Sequence, residues 1–219
     1  MAIPIKTGEK GPQGIARVNV SEKKVTVIFE DGDKFDLTPA DCPKYLVKSG
    51  KYAVSLNLEG TTMYNARPLG GSHLVRFKEF THKKDEPPAP KIVSGGLRTK
   101  KDGTRFVVDD SVQFGAIFQI VGPDHTGFEL AYFVPYAFKN WSDETGIGGK
   151  GSQKLEAFLR STGIDFSSDT IPFSDNVLPW LQKFLRTKNT LLIATLTKEG
   201  YIDTLASAPS GIPAGQIKE

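Results

Sequence analysis

SVQFGAIFQIVGPDHTGFELAYFVPYAF, residues 111–138, reads as two apolar strands around a polar loop. In its second half Phe128, Leu130, Tyr132, Val134, Tyr136 and Phe138 share one side of a two-residue period, with Glu129, Ala131 and Phe133 on the other. Side chains of a strand alternate between faces, so this pattern predicts one face in the core and one outside. The loop, Gly122 to Gly127, is polar and bounded by glycines, as a longer hairpin connection requires.

Upstream of this pair runs LRTKKDGTRFVVDD, with the turn signal Asp102-Gly103 at its centre. Between Lys91 and Arg105 stand Lys91, Arg98, Lys100, Lys101 and Arg105 against one acid, Asp102; this local +4 exceeds the whole chain's +3. A basic hairpin can follow a phosphate backbone and release its counterions. The competing reading is a solvated hairpin whose lysines block unwanted strand pairing. Downstream lies a polar, glycine-rich loop from Asn140 to Ser152. Ser152 can cap a following helix in which Leu155, Phe158 and Leu159 share a face and Gly163 supplies the left-handed end. A second helix is predicted from Asp175 or Asn176, with Pro179 in its first turn and Leu178, Leu181, Phe184 and Leu185 on its apolar face. The pair LLIATLT and YIDTLA then turns at Lys198-Glu199-Gly200, and SAPSGIPAGQIKE follows as an extended tail suited to self-association.

The first eighty residues are patterned almost wholly as strands. Val25, Val27 and Phe29 alternate before the Asp31-Gly32 turn, and Tyr52, Val54, Leu56 and Leu58 share a face opposite Ala53, Ser55 and Asn57. Pro39 to Leu46 reads as a short turn or helix begun by Thr38. Pro87, Pro88 and Pro90 mark an extended linker over 81–91. The expected organisation is therefore a small β-barrel or sandwich over 1–80, the linker, an OB-like barrel with two inserted helices over 92–208, and a tail over 209–219. The fold class is mainly β.

Composition narrows the chemistry. The single cysteine, Cys42, forms no disulfide within the chain, and His73, His82 and His125 share no metal-ligand spacing. No apolar run approaches the ~18 residues of a membrane span, and MAIPIKTGEKGPQG has no signal-peptide character. A soluble cytoplasmic protein is expected, in the host cytoplasm if viral. GIGGKGS departs from the P-loop order because Gly151 follows Lys150. Asp109-Asp110, Asp143-Glu144, Asp165 and Asp169 are scattered, and no Gly-x-Ser-x-Gly elbow occurs. The chain reads as a non-enzyme with no cofactor and no metal.

What remains is a binding surface. Nine rings lie between Phe106 and Trp141, and strand alternation sends most of them to the core. Phe133 shares its face with Glu129, and Trp141 follows Lys139 in a polar loop, so these two are the candidate base-stacking rings. Arg98, Lys100, Lys101, Arg105, Lys139 and Lys150 are the candidate phosphate contacts. Arg76 and Lys78, sharing a strand face with Phe80, form a second possible groove.

The pieces FQIVG, HTGFELAYFVPY, GKGSQKLEAFLRSTGID, NVLPWLQKFL and EGYIDTLASAP, taken in order, resemble phage- and prophage-encoded single-stranded-DNA-binding proteins of replication and recombination loci. The resemblance covers about Lys91 to Pro209. It implies an OB-fold and a single-stranded DNA partner, with RNA the other strand chemistry such a groove accepts. Many such proteins end in an acidic tail, whereas this sequence ends GIPAGQIKE. The alternative is a virion structural, assembly or adaptor protein, supported by the two-β-domain layout and the extended tail.

Overall fold

The computed structural model describes residues 11–83, 85–99, 103–108, 110–136, 141–142, 146–147, 152–164 and 177–209. The chain is mainly β, with two antiparallel sheets of several strands and two helices among the described residues. The strands are β1 Gln13–Val20, β2 Val25–Phe29, β3 Lys34–Leu37, β4 Gly50–Leu56, β5 Met63–Arg67, β6 Ser72–Phe80, β7 Lys91–Val93, β8 Gly96–Thr99, β9 Arg105–Val108, β10 Ser111–Ile120, β11 Glu129–Pro135, β12 Trp141–Ser142, β13 Gly146–Ile147, β14 Leu191–Leu196 and β15 Ile202–Ser207. Helices α1, Ser152–Ser161, and α2, Leu178–Lys188, fall between β13 and β14.

One sheet runs β3-β2-β1-β4-β5, and a second follows the path β11-β10-β6-β14-β15 with β7 also paired to β10. No ladder joins β3 to β5, or β11 to β15, among the described residues, so neither expected barrel closes there. The compact units also differ from the sequential division. Unit 1 joins 1–76, 118–131 and 191–219, and unit 2 joins 77–117 and 132–190. The reason lies in β6. It was expected to finish an N-terminal barrel, but Ser72 to Arg76 pair with Thr195 to Leu191 of the last hairpin. Residues 81–91 accordingly connect two strands rather than two domains, and Pro88 is buried, unlike a residue of a solvated linker.

In unit 1, β1 is central, with β2 and β4 on its two sides. Its alternation buries Ala16 and Val18, and β2 buries Val25, Val27 and Phe29. The Asp31-Gly32 turn forms as read, with Gly32 at φ 98 and the Phe29 N–H donating to the Asp33 carbonyl at 2.9 Å. Leu58 does not join the Tyr52 face. The strand ends at Leu56, the Asn57 side chain accepts from the Thr61 and Thr62 amides, and Leu58 is left exposed in that turn. Thr38 precedes a 3-10 turn over Pro39–Asp41, and its hydroxyl donates to the Asp41 carboxylate. Tyr45 and Tyr52 pack on Phe128, with ring centroids 4.6 and 5.5 Å apart.

In unit 2 the core is a ring cluster. Phe80 lies 5.2 Å from Phe114 and 6.4 Å from Phe158, and Phe114 lies 5.8 Å from Phe158. Helix α1 contributes Leu155, Phe158 and Leu159, all buried, as its spacing predicted. It ends where expected. Gly163 has φ 84, its N–H donates to the Arg160 carbonyl, and the Ile164 N–H reaches back to Leu159, a Schellman end closed by the buried Ile164 side chain. Helix α2 buries Leu178, Leu181 and Leu185, each worth about 1.5–3 kcal/mol if fully removed from water. It starts at Leu178, two or three residues later than read, and Pro179 still sits in the first turn. Asn189, at φ 48, ends it in the left-handed conformation. Asp175 and Asn176 lie outside the described residues, and α1 begins at Ser152 itself.

Gly200 has φ 74, and a Cβ there would stand 2.6 Å from the Pro68 carbonyl oxygen. Gly200→Ala should therefore lower the urea unfolding free energy by more than about 1 kcal/mol. Burial pushes the Tyr45 phenol up to about 12, and burial raises Tyr52 as well. The native state thus holds these protons more tightly than the unfolded chain, whose tyrosines titrate near ~10. The resulting stability is complete below that value and is lost as pH rises towards 12. Tyr45→Phe should flatten the alkaline fall in urea midpoint. An unchanged slope would count against this assignment.

Candidate nucleic-acid interface

Of the eight residues singled out by sequence, Lys100, Lys101, Lys139 and Lys150 lie outside the described residues. The other four belong to unit 2. Arg98 is in β8 and Arg105 opens β9, in a two-stranded sheet of their own with Thr99 opposite Arg105. Phe133 is in β11, on a different sheet, and Trp141 opens β12 opposite Ile147. The structure gathers these four into one unit but not onto one sheet.

Phe133 is 51% exposed, the outcome its alternation predicted, while Phe128, Leu130, Tyr132 and Val134 are buried. The β10–β11 bonds, Ile120 N–H to Phe128 and Tyr136 N–H to Val112, set Gly115 opposite Phe133. A Cβ at Gly115 would meet Phe133 Cε1 at 3.1 Å and the Thr81 hydroxyl at 2.8 Å. The ring therefore lies against bare backbone and covers it, a cross-strand pairing of an aromatic with a glycine. Its exposure is thus structural as well as available to a ligand. Phe80, by contrast, is fully buried. The second groove considered from sequence, Arg76-Lys78-Phe80, therefore lacks its ring, because Phe80 turns into the ring cluster instead.

Helix α2 carries the arrangement the sequence reading missed. Trp180 and Phe184, one turn apart, are stacked with centroids 5.3 Å apart and planes 26° from parallel. Lys188, one turn further, places its ammonium 5.3 Å from the Phe184 centroid. Both rings are half-buried, so Phe184 stands at the border of the apolar face and not within it. Lys183 and Lys188 are exposed, and α2 contains three cations and no acid. Arg186, though exposed, is tied to β6: its Nε donates to the Lys78 carbonyl at 3.0 Å, and its Nη2 lies 3.5 Å from Glu79. Gln182, on the same side, accepts from the Phe80 N–H at 2.8 Å. These two anchors fix the roll of the helix and leave the Trp180-Phe184-Lys188 stripe at the rim. The signal was present in the sequence as Trp, Phe and Lys at positions i, i+4 and i+8. On α1, Lys154 sits 4.5 Å from the Tyr132 centroid, a second cation–π pair in unit 2.

Charge follows the same division. Unit 2 holds 15 Lys and Arg against 12 Asp and Glu, whereas unit 1 holds 13 of each, so the chain's excess resides in unit 2. Among the described residues no group of three or more His, Cys, Asp and Glu is placed to hold a metal ion. Burial pushes the Cys42 thiol up to about 11, aided by Asp41, which leaves it a poor nucleophile near neutrality. No helix among the described residues is long and apolar enough to cross a membrane.

Comparison with family models, curated proteins and solved structures found no match to the chain.

The two exposures of phenylalanine on these neighbouring strands give a stability test. Phe114→Ala should cost about 3–5 kcal/mol in urea unfolding, and Phe133→Ala less than about 1 kcal/mol. Equal costs would show that Phe133 is core.

Proposed function

We propose that the protein is a non-catalytic binder of single-stranded nucleic acid, DNA before RNA, and that unit 2 does the binding. The observation that carries this reading is α2, an acid-free cationic helix with two stacked, half-exposed rings. Bases stack on such rings with little regard to sequence, and phosphates meet the ammonium groups beside them. Trp180 and Phe184 supply the platform, and Lys183 and Lys188 the charge. Phe133 supplies a second exposed ring, and the basic segment between Lys91 and Arg105 adds cations. The resemblance in element order to phage single-stranded-DNA-binding proteins gives the setting we propose, bacteriophage DNA replication or recombination. The concentration of charge in unit 2 supports binding there in preference to unit 1.

Fluorescence anisotropy of labelled oligothymidylate, measured across a salt series, tests the reading. Affinity should fall log-linearly with salt at about 0.7 per phosphate neutralised. Trp180→Ala and Phe184→Ala should each weaken binding by about 1–3 kcal/mol at every salt concentration. Lys183→Ala should instead make the slope shallower. Absence of binding at low salt, or affinity indifferent to salt, would overturn the proposal.

A further inference from the structure

Strands β7, β10 and β11 bring a cation, a bare stretch of backbone and a ring to one face of one sheet. Lys91 of β7 stands directly opposite Gln113 of β10. Opposed residues of a ladder share a face, and so do residues two apart on one strand. Lys91, Gln113, Gly115 and the Phe133 that lies opposite Gly115 therefore point to the same side. All four belong to unit 2. The other side of β10 carries Phe114 and Ala116, both buried, so this side is the outward one. Lys91 is exposed and shares its sheet with Phe133, whereas Arg98 and Arg105 belong to the separate β8–β9 sheet.

The ring lies down on the sheet. Gly115 has no side chain to hold it off, and a Cβ there would press on Phe133 Cε1 at 3.1 Å and on the Thr81 hydroxyl at 2.8 Å. One face of the ring is thus against backbone and the other is open, in keeping with an exposure of 51%. Gln113 stands between the ring and Lys91 but is drawn the other way along its strand. Its Nε2 donates to the Ser111 hydroxyl at 2.9 Å, which leaves the space above Gly115 clear. Lys91 and Phe133 are two strands and two residues apart, about 12 Å between Cα atoms. The lysine stem crosses part of that gap and brings its ammonium towards the ring.

We propose that this face is a subsite for one nucleotide of the bound strand, an inference that rests on the single-strand reading of unit 2. The base lies on the open face of Phe133, and the phosphate beside it meets Lys91. Gly115 is the positioning residue: it keeps the ring flat. A ring laid parallel to the sheet offers a whole π-face, on which any base stacks. A ring standing on edge offers only its rim. Because Phe133 already rests on backbone, little rotamer freedom is lost when a base arrives. An apolar partner would use the ring alone; a ring with a cation across the strand matches a base with its phosphate.

The test compares two labelled probes on the full-length protein: oligothymidylate, and an abasic strand of equal length that keeps the phosphates and lacks the bases. Phe133→Leu leaves an apolar cover on Gly115 but removes the π-face. It should weaken oligothymidylate binding by about five- to hundredfold and leave abasic-strand affinity within about twofold. Gly115→Ala, which lifts the ring, should give the same selective loss, and adding Phe133→Leu to it should cost less than about twofold more. Lys91→Ala should make the salt dependence shallower by about 0.7 on both probes. Lys23→Ala, an equal loss of charge in the β1–β2 turn of unit 1, should leave that slope unchanged. Full oligothymidylate affinity in Phe133→Leu, or equal losses on the two probes, would overturn the subsite. So would a Lys91→Ala slope no different from that of Lys23→Ala. A full further loss when Phe133→Leu is added to Gly115→Ala would remove Gly115 from its positioning role. Failure of the unaltered protein to bind either probe at low salt would defeat the single-strand reading itself, whereas binding indifferent to Phe133 and Lys91 defeats the subsite alone.

Discussion

Phe80 is the residue on which unit 2 depends. Its ring is wholly buried against Phe114 of β10 and Phe158 of α1. Its backbone N–H is held by Gln182 of α2, and its carbonyl lies 2.7 Å from His82 Nδ1. One residue at the end of β6 thus fixes a strand and both helices. Truncating it would open a cavity among aromatic rings and loosen the helix whose outer side carries the stacked pair. The exposed features of unit 2 are consequences of this buried arrangement, because the Gln182 and Arg186 anchors decide which side of α2 faces out.

The chemistry available at that rim is stacking and charge. Rings half-covered by their neighbours are held in place before a ligand arrives, so less rotamer freedom is lost on binding. Trp180 is braced by Phe184, and Phe184 by Lys188. Phe133 is braced differently, by lying on the backbone at Gly115. In each case the contact that stabilises the ring also leaves part of it open.

Local features were legible in the sequence. The face alternation of β11, the Asp31-Gly32 turn, the Gly163 helix end and the apolar face of α1 each depend on residues within a few positions of one another. The register of β6 with β14 was not legible. It links Ser72 with Thr195, and no local pattern specifies a partner so far along the chain. That one pairing accounts for the difference between two sequential barrels and two interleaved units. Phe80 and Phe184 were both misassigned because alternation and helical spacing identify a face but not its border. Phe80 belongs wholly inside, and Phe184 stands at an edge. Leu58 was lost to the Asn57 turn, whose side-chain bonds end the strand earlier than hydrophobicity alone suggests.

Ultraviolet crosslinking of thymidine-rich single strands, followed by identification of the adducted peptides, tests the central claim most directly. The account predicts adducts on Trp180, Phe184 or Phe133, within unit 2, and their suppression by salt. Adducts confined to residues 13–67 of unit 1, or the absence of any specific adduct under conditions where the strand is bound, would contradict it.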